Sequence, residues 1–240
     1  MSNLSIRIAQ NVAEVRGRMA EAAGRAGRDV DEITLVAVTK YVGPEVARAL
    51  VESGCRTLGE SRPQHLEEMA RSLDDLPSDW LPIDWHMIGQ LQRNKVRRTL
   101  PLVAMIESVD SPRLAEAIDR IAGELSIRMP ILLEVNVSGE AAKHGFAPDA
   151  LEPYLADLAR LTNLEPRGLM CMAGLEGGPD EAARDFAQLF QLRERLRANC
   201  PPGVALDELS MGMSGDYEAA IAEGSTIVRV GTALVSGVDR

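Results

Sequence analysis

The sequence predicts an α/β protein built on a parallel sheet: a (β/α)8 barrel, with a doubly wound open sheet as the alternative that the pattern alone leaves open. Three observations carry this expectation. Eight short runs rich in Val, Ile and Leu alternate with segments of helical periodicity, and each connection is long enough for a crossover between parallel strands. The 240 residues suit one barrel and would cramp two domains, and no linker, repeat or low-complexity tract divides them. Apolar residues make up 45% of the chain and aromatic ones only 3%, so the core must be built from Ala, Val, Leu, Ile and Met. A single domain over 1–240 is expected, with a lead-in helix in 1–27 and the barrel in 30–240.

The lead-in helix is read over Ser5–Ala23, where Ile8, Val12, Val15, Met19 and Ala22 recur at helical spacing before Gly24 and Gly27. Ile33–Thr39 is a β-branched apolar run, a strand buried on both faces, and Lys40 ends it. Gly43-Pro44 stop that strand and open a helix over Glu45–Ser53. A short second strand at Thr57-Leu58 leads into a helix over Arg62–Ser72, and Asp74–Pro82, with two prolines and three aspartates, reads as a loop.

Asp84–Ile88 supplies a third strand, Leu91–Arg98 a helix and Val103–Ile106 a fourth strand. Ser111 is read as an N-cap and Pro112 as the first residue of a helix reaching Gly123. Pro130–Val137 is the fifth strand, Pro148–Leu161 a helix and Arg167–Met172 the sixth strand. Pro179–Ala198 is a long helix with Ala182, Phe186, Leu189, Phe190, Leu192 and Leu196 on or near its inner face. Glu208–Met211 and Thr226–Val230 are the last two strands, separated by a helix over Asp216–Glu223 that Gly224 closes. Ser138–Ala147 follows the fifth strand on the face where Lys40 emerges and reads as a mobile lid; it and 74–82 are the segments expected to be least ordered.

The formal net charge of -10 argues against nucleic acid and against anionic membrane surfaces as partners. No apolar run approaches the length of a membrane span, and the N-terminal residues lack a signal-peptide core, so a cytoplasmic location is expected. Cys55, Cys171 and Cys200 are odd in number and far apart, which fits reduced, buried thiols and no metal site.

The candidate chemistry begins at Lys40. An ammonium at the end of a buried strand is costly unless paired, neutralised or modified, although a solvated strand-end lysine is the plain alternative. At the other end of the chain, the last two strands run into Gly212-Met213-Ser214-Gly215 and Gly231-Thr232. In an α/β barrel, loops at these places commonly hold a phosphate on backbone N–H groups. Ser210, Ser214, Gly231 and Thr232 are therefore candidate phosphate contacts, with helix capping as the competing role of Ser214. A strand-end lysine and a phosphate cradle together suggest a phosphorylated cofactor held as a Schiff base.

At these residues a family resemblance becomes visible. Val36–Lys40, Leu58–Arg62, Trp85–Gly89 with Leu91–Lys95, Glu134–Val137, Arg167–Met170, Leu209–Ser214 and Val228–Thr232 make the chain resemble the small pyridoxal-phosphate-binding proteins of the YggS/PROSC type. Those proteins look like the barrel domain of alanine racemase standing alone, and the resemblance decides for the barrel over the open sheet. One departure is Ser61, where the family usually has Asn after Gly-Glu.

The resemblance implies that the Lys40 amine forms the Schiff base with pyridoxal phosphate. It also implies that Arg229 faces the pyridine nitrogen, where a permanent guanidinium disfavours protonation; a structural ion pair is the alternative role. Met211, inside a matching stretch, joins the implied cofactor contacts. Met170 is either a ring contact or core filler, and Asn136 either a pocket contact or a loop anchor. His86 alternates with Trp85 and Met87, which places it on the opposite face as a barrel-layer residue or an acid/base. Arg93, Asn94 and Lys95 read as a solvated helix face or a phosphate or partner patch.

The function this implies is binding pyridoxal phosphate for its homeostasis, by buffering or delivery, with pyridoxal-phosphate-dependent apoenzymes as recipients and a monomer as the expected state. No catalytic residue is assigned. Racemase chemistry needs two opposed bases, and the second one in that family, a tyrosine from a further domain, has no counterpart expected among Tyr41, Tyr154 and Tyr217. Tyr41 is expected to point away from Lys40. The alternatives are a weak pyridoxal-phosphate-dependent amino-acid racemase or lyase, and a phosphate-binding isomerase using Glu60 and Glu134, the only strand-end carboxylates the pattern supplies.

Overall fold

Val36 and Ala37 are fully buried in the first strand, β1 (Thr34–Val38), while Thr34 at its start is exposed. That strand pairs in parallel with both β2 (Thr57–Glu60) and β8 (Ile227–Val230), and the pairing with β8 is the seam that closes the sheet. The computed structural model describes residues 2–80, 82–140, 143–174 and 178–238. Among them, eight parallel strands close in sequence order into a barrel. Between β2 and β8 the remaining strands are β3 (Asp84–Met87), β4 (Met105–Val109), β5 (Met129–Glu134), β6 (Leu164–Met170) and β7 (Glu208–Ser210).

The helices form the outer ring. They are α1 (Asn3–Arg25), α2 (Pro44–Glu52), α3 (Pro63–Ser72), α4 (Val96–Thr99), α5 (Pro112–Leu125), α6 (Leu151–Leu158), α7 (Gly178–Arg197) and α8 (Tyr217–Ala222). Each of α2 to α8 follows one strand, and among the described residues only short turns follow β8. The lead-in helix is thus no addition to a complete ring. It packs against both α2 and α8 and fills the eighth place itself. Ile8, Val12, Val15, Met19 and Ala22, spaced as the sequence predicts, form its buried stripe. Asn11 anchors it by donating from Nδ2 to the carbonyls of Leu234 and Ser236, both at 3.0 Å.

Several boundaries differ from the sequence reading for local reasons. The segment over 91–98 is not one helix: Arg93–Lys95 is a 3-10 turn and α4 only one turn long. Part of the 74–82 loop, Ser78–Trp80, is also a 3-10 turn, and residue 81 lies outside the described residues. Ser111 stands at the N-cap of α5, but its hydroxyl donates to Asp110 at 2.8 Å and not to the helix. The fourth strand begins and ends later than the apolar run Val103–Ile106, and its pairing with β5 shifts register between Ile106 and Val109. That displacement carries Glu107 into the strand.

Two apolar layers wrap the sheet from outside, and a small one fills its interior. The inner plug is Val36, Met105, Leu132, Met170 and Ile227, with Ile88 packed on it. Gly59 admits this packing, because a Cβ there would stand 2.7 Å from Val36 Cγ1 and 3.1 Å from Ile88 Cδ1. Further along the strands, inward positions turn polar: His86, Glu107, Ser210 and Arg229 are all buried. No described helix is long and apolar enough to cross a membrane.

Candidate functional site

Lys40 lies two residues past β1, in a turn at the carboxyl end of the barrel, the end that carries function in this architecture. The turn is tied down from the β2 end. The Thr39 hydroxyl donates to Glu60 Oε1 at 2.5 Å and to the Gly59 carbonyl at 3.3 Å, and the Arg62 guanidinium donates to the Lys40 carbonyl at 3.4 Å. Glu60 is itself fully buried, with His65 Nδ1 at 3.0 Å from Oε2. The stretch Gly59–Arg62 therefore acts as the anchor of the lysine backbone. Both carboxylate oxygens of Glu60 are thus engaged by neighbouring residues of the barrel mouth. Tyr41 does not point away: with β1 already ended, Lys40 Nζ sits 5.1 Å from the centroid of its exposed ring.

The half-buried Lys40 side chain enters a pocket of about 270 Å³. Ser214, Gly215, Gly231 and Thr232 form the wall supplied by the loops after β7 and β8. Val38, Ile88 and Met172 give it apolar surface, and Arg229, one inward position deeper than Gly231, lines it with a guanidinium. A larger groove of about 720 Å³ runs between α1 and α2 beside Trp80, and it holds none of these groups.

The loop after β7 keeps its shape through Gly212, whose φ of +93° and closeness to α8 admit no side chain: a Cβ would meet Ala220 Cβ at 2.5 Å. Ser214 is not the cap of α8. Asp216 occupies the N-cap position, and its Oδ1 accepts from Met213 N–H at 2.5 Å. Ser214 Oγ instead accepts the backbone N–H of Gly231 at 3.0 Å and of Ala233 at 3.3 Å. With both lone pairs engaged, its own proton is left to donate, and no described group receives it. That leaves Ser214 as a hydroxyl donor on the pocket wall, beside Gly215, Gly231 and Thr232.

Beneath the pocket lies a buried polar network. Glu107 Oε1 is 2.6 Å from His86 Nδ1, and Oε2 accepts from the Ser210 hydroxyl at 2.5 Å. Arg229 Nη1 donates to Ser210 Oγ and stands 3.8 Å from Glu107 Oε2, while Nη2 donates to the Cys171 carbonyl at 2.8 Å. Burial pushes the Glu107 carboxyl up, yet His86, Arg229 and Ser210 outweigh it and hold it below the ordinary carboxylate range. Glu134, inward on β5, goes the other way: burial and then Asp110 push it up, against the pull of Arg229.

The candidate residues thus divide. Lys40, Ser214, Arg229, Gly231 and Thr232 meet in one pocket. Ser210 does not line it; its hydroxyl is committed inward between Glu107 and Arg229. Met211 packs in the outer apolar layer, with its N–H given to the Ile227 carbonyl, because strand alternation turns it away from Ser210. Met170 belongs to the inner plug. Asn136 anchors the following loop, accepting from Gly139 N–H at 3.1 Å and donating to the Glu140 carbonyl at 2.9 Å. In the segment 138–147, expected to be a lid, residues 141–142 lie outside the described residues, and Lys143 pairs with Glu140 at 2.8 Å. His86 is a layer residue, on the opposite face from Trp85 and Met87. Glu107 escaped the sequence reading; its signal was parity, two positions past inward Met105.

The fold and the site together define a closed parallel (β/α)8 barrel protein with a lysine, a buried arginine and a glycine-rich pocket wall at its carboxyl mouth. The family model described as alanine racemase, N-terminal domain matches residues 7–238. A pyridoxal phosphate homeostasis protein of Pseudomonas aeruginosa is 39% identical over 97% of this chain and 96% of its own, and its namesake in Aquifex aeolicus is 37% identical over 94% and 96%. PipY of Synechococcus elongatus PCC7942, solved with PLP bound, aligns at a TM-score of 0.82 and 35% identity over 95% of this chain and 99% of that one. The chain belongs to the pyridoxal phosphate homeostasis family, within the alanine racemase N-terminal-domain barrels.

Proposed function

We propose that this protein binds pyridoxal phosphate covalently through Lys40 and serves cofactor homeostasis, as a cytoplasmic monomer that buffers the cofactor or delivers it to apoenzymes. One observation carries the reading: Lys40 and the unengaged hydroxyl proton of Ser214 face the same pocket, the amine on one side and the anion cradle on the other. The residues present fit the group. Ser214, Gly231 and Thr232 would hold the phosphate, and Val38, Ile88 and Met172 offer apolar surface to a flat ring. Bound pyridoxal phosphate supplies an aldehyde for an amine and a ring that withdraws electrons.

Arg229 inclines the site toward holding over catalysis. It is buried, permanently charged and fixed by Ser210 and Cys171, so it opposes a second positive charge in the pocket. The experiment is borohydride reduction of the cofactor-loaded protein with peptide mapping. The adduct should fall on the Lys40 peptide, and Lys40→Ala should lose the visible absorption band. An adduct on Lys95 or Lys143 would overturn the assignment.

A further inference from the structure

We infer that Glu107 is the positioning residue of this site: its buried carboxylate holds the Arg229 guanidinium under the pocket and balances its charge. The inference rests on the cofactor reading above and goes beyond it, to a residue that lies outside the pocket lining. Glu107 has no exposed surface, and an unpaired carboxylate there would be among the costliest groups a barrel could bury. It is not unpaired. His86 holds Oε1 at 2.6 Å, the Ser210 hydroxyl holds Oε2 at 2.5 Å, and Arg229 Nη1 lies 3.8 Å from Oε2.

The arrangement fixes the guanidinium from two sides. Ser210 Oγ, oriented by donating to Glu107, accepts from Nη1, and the Cys171 carbonyl accepts from Nη2. Rotating Arg229 out of this plane would break both bonds and leave Glu107 with His86 as its only ionisable partner. The charged and titratable groups around the pair can be named strand by strand. Nearest are His86 on β3, Glu134 on β5 and the Cys171 thiol after β6, which burial pushes up to about 12 and so keeps neutral; Asp110 and His144 act on Glu134, and Asp185, Asp216 and Lys143 on Cys171, further out. Glu107 therefore sets how much positive field the pocket receives from Arg229.

The test compares the pyridoxal-phosphate-loaded wild type with Glu107→Gln and Glu107→Asp, reading the pH midpoint of the bound cofactor's absorption change. Gln keeps an acceptor for Ser210 and removes the charge, so Arg229 acts unbalanced on the pocket. The midpoint should fall by about 1 unit or more, as for any titrating group left beside an uncompensated cation. Asp keeps the charge one methylene further off and should fall in between. A purely structural role would lower Tm and loosen cofactor binding without moving the midpoint. An unshifted midpoint in both variants overturns the inference; if Glu107→Gln does not fold, Glu107→Asp decides by the same criterion. A wild type with no cofactor band overturns the cofactor reading and this inference with it.

Discussion

The backbone N–H of Gly231 donates to the Ser214 hydroxyl oxygen at 3.0 Å, so the loops after β7 and β8 are joined across the mouth of the barrel. Ser214→Ala removes both that brace and the proton left for an anion. Losing one hydrogen bond to a charged group is worth about 1.5–3 kcal/mol, which is roughly a 10- to 100-fold weaker Kd for pyridoxal phosphate. Binding of unphosphorylated pyridoxal should weaken much less, since it feels only the lost brace. Equilibrium titration of both ligands checks this, and equal weakening of the two would assign Ser214 to the ring side.

Gly59 couples packing to the pocket. In Gly59→Ala the new Cβ is forced against Val36 and Ile88, and Ile88 lines the site. Overpacking of this kind costs about 1–3 kcal/mol. Denaturant unfolding should show that loss, and cofactor affinity should drop with it.

Glu134 gives a pH dependence of definite sign. Its carboxyl is pushed up in the folded chain, so the native state takes a proton more readily than the unfolded one. Stability from this group is present at acid pH and is lost as pH rises from the ordinary carboxylate range through the raised value. Glu134→Gln should therefore raise Tm at neutral pH, and the gain should fade on acidification. A gain independent of pH would mean packing, not charge, is responsible.

Thiol chemistry should sort the three cysteines. Burial pushes Cys55 up to about 11 and Cys171 to about 12, whereas Cys200 is only half-buried, contrary to the expectation that all three are enclosed. Alkylation of the native protein near neutral pH should label Cys200 first, and mass mapping of tryptic peptides reads the order.

What the sequence disclosed follows from what each signal depends on. Alternating apolar runs report burial, so all eight strands were legible, and so was the α1 stripe from Ile8 to Ala22. Glycine-rich strand ends report close backbone approach, so the neighbourhood of Ser214, Gly231 and Thr232 was legible too. Glu107 was not, because a charged residue after Ile106 looks like the end of a strand until the barrel closes around it. Ser210 looked like a phosphate contact for the same reason: its hydroxyl faces inward, and only the closed sheet shows that Glu107 waits there. The Lys40–Tyr41 contact depends on β1 ending at Val38, a difference of two residues that no propensity resolves.

The docking of α1 has a bearing on how the chain is made. Its apolar stripe rests partly on Leu234 and Val235, and Asn11 bonds the carbonyls of Leu234 and Ser236. Asn11→Ala should cost about 1–3 kcal/mol by leaving those acceptors without their donor, readable in a thermal melt. During translation the first helix leaves the ribosome long before those residues exist. At the usual pace of synthesis the part of its apolar stripe that faces α8 and Leu234 waits uncovered on the order of ten to forty seconds, although α2 follows it closely. A nascent chain halted anywhere before the eighth strand holds an open sheet with raw edges at β1, which makes this the interval in which chaperones would find it.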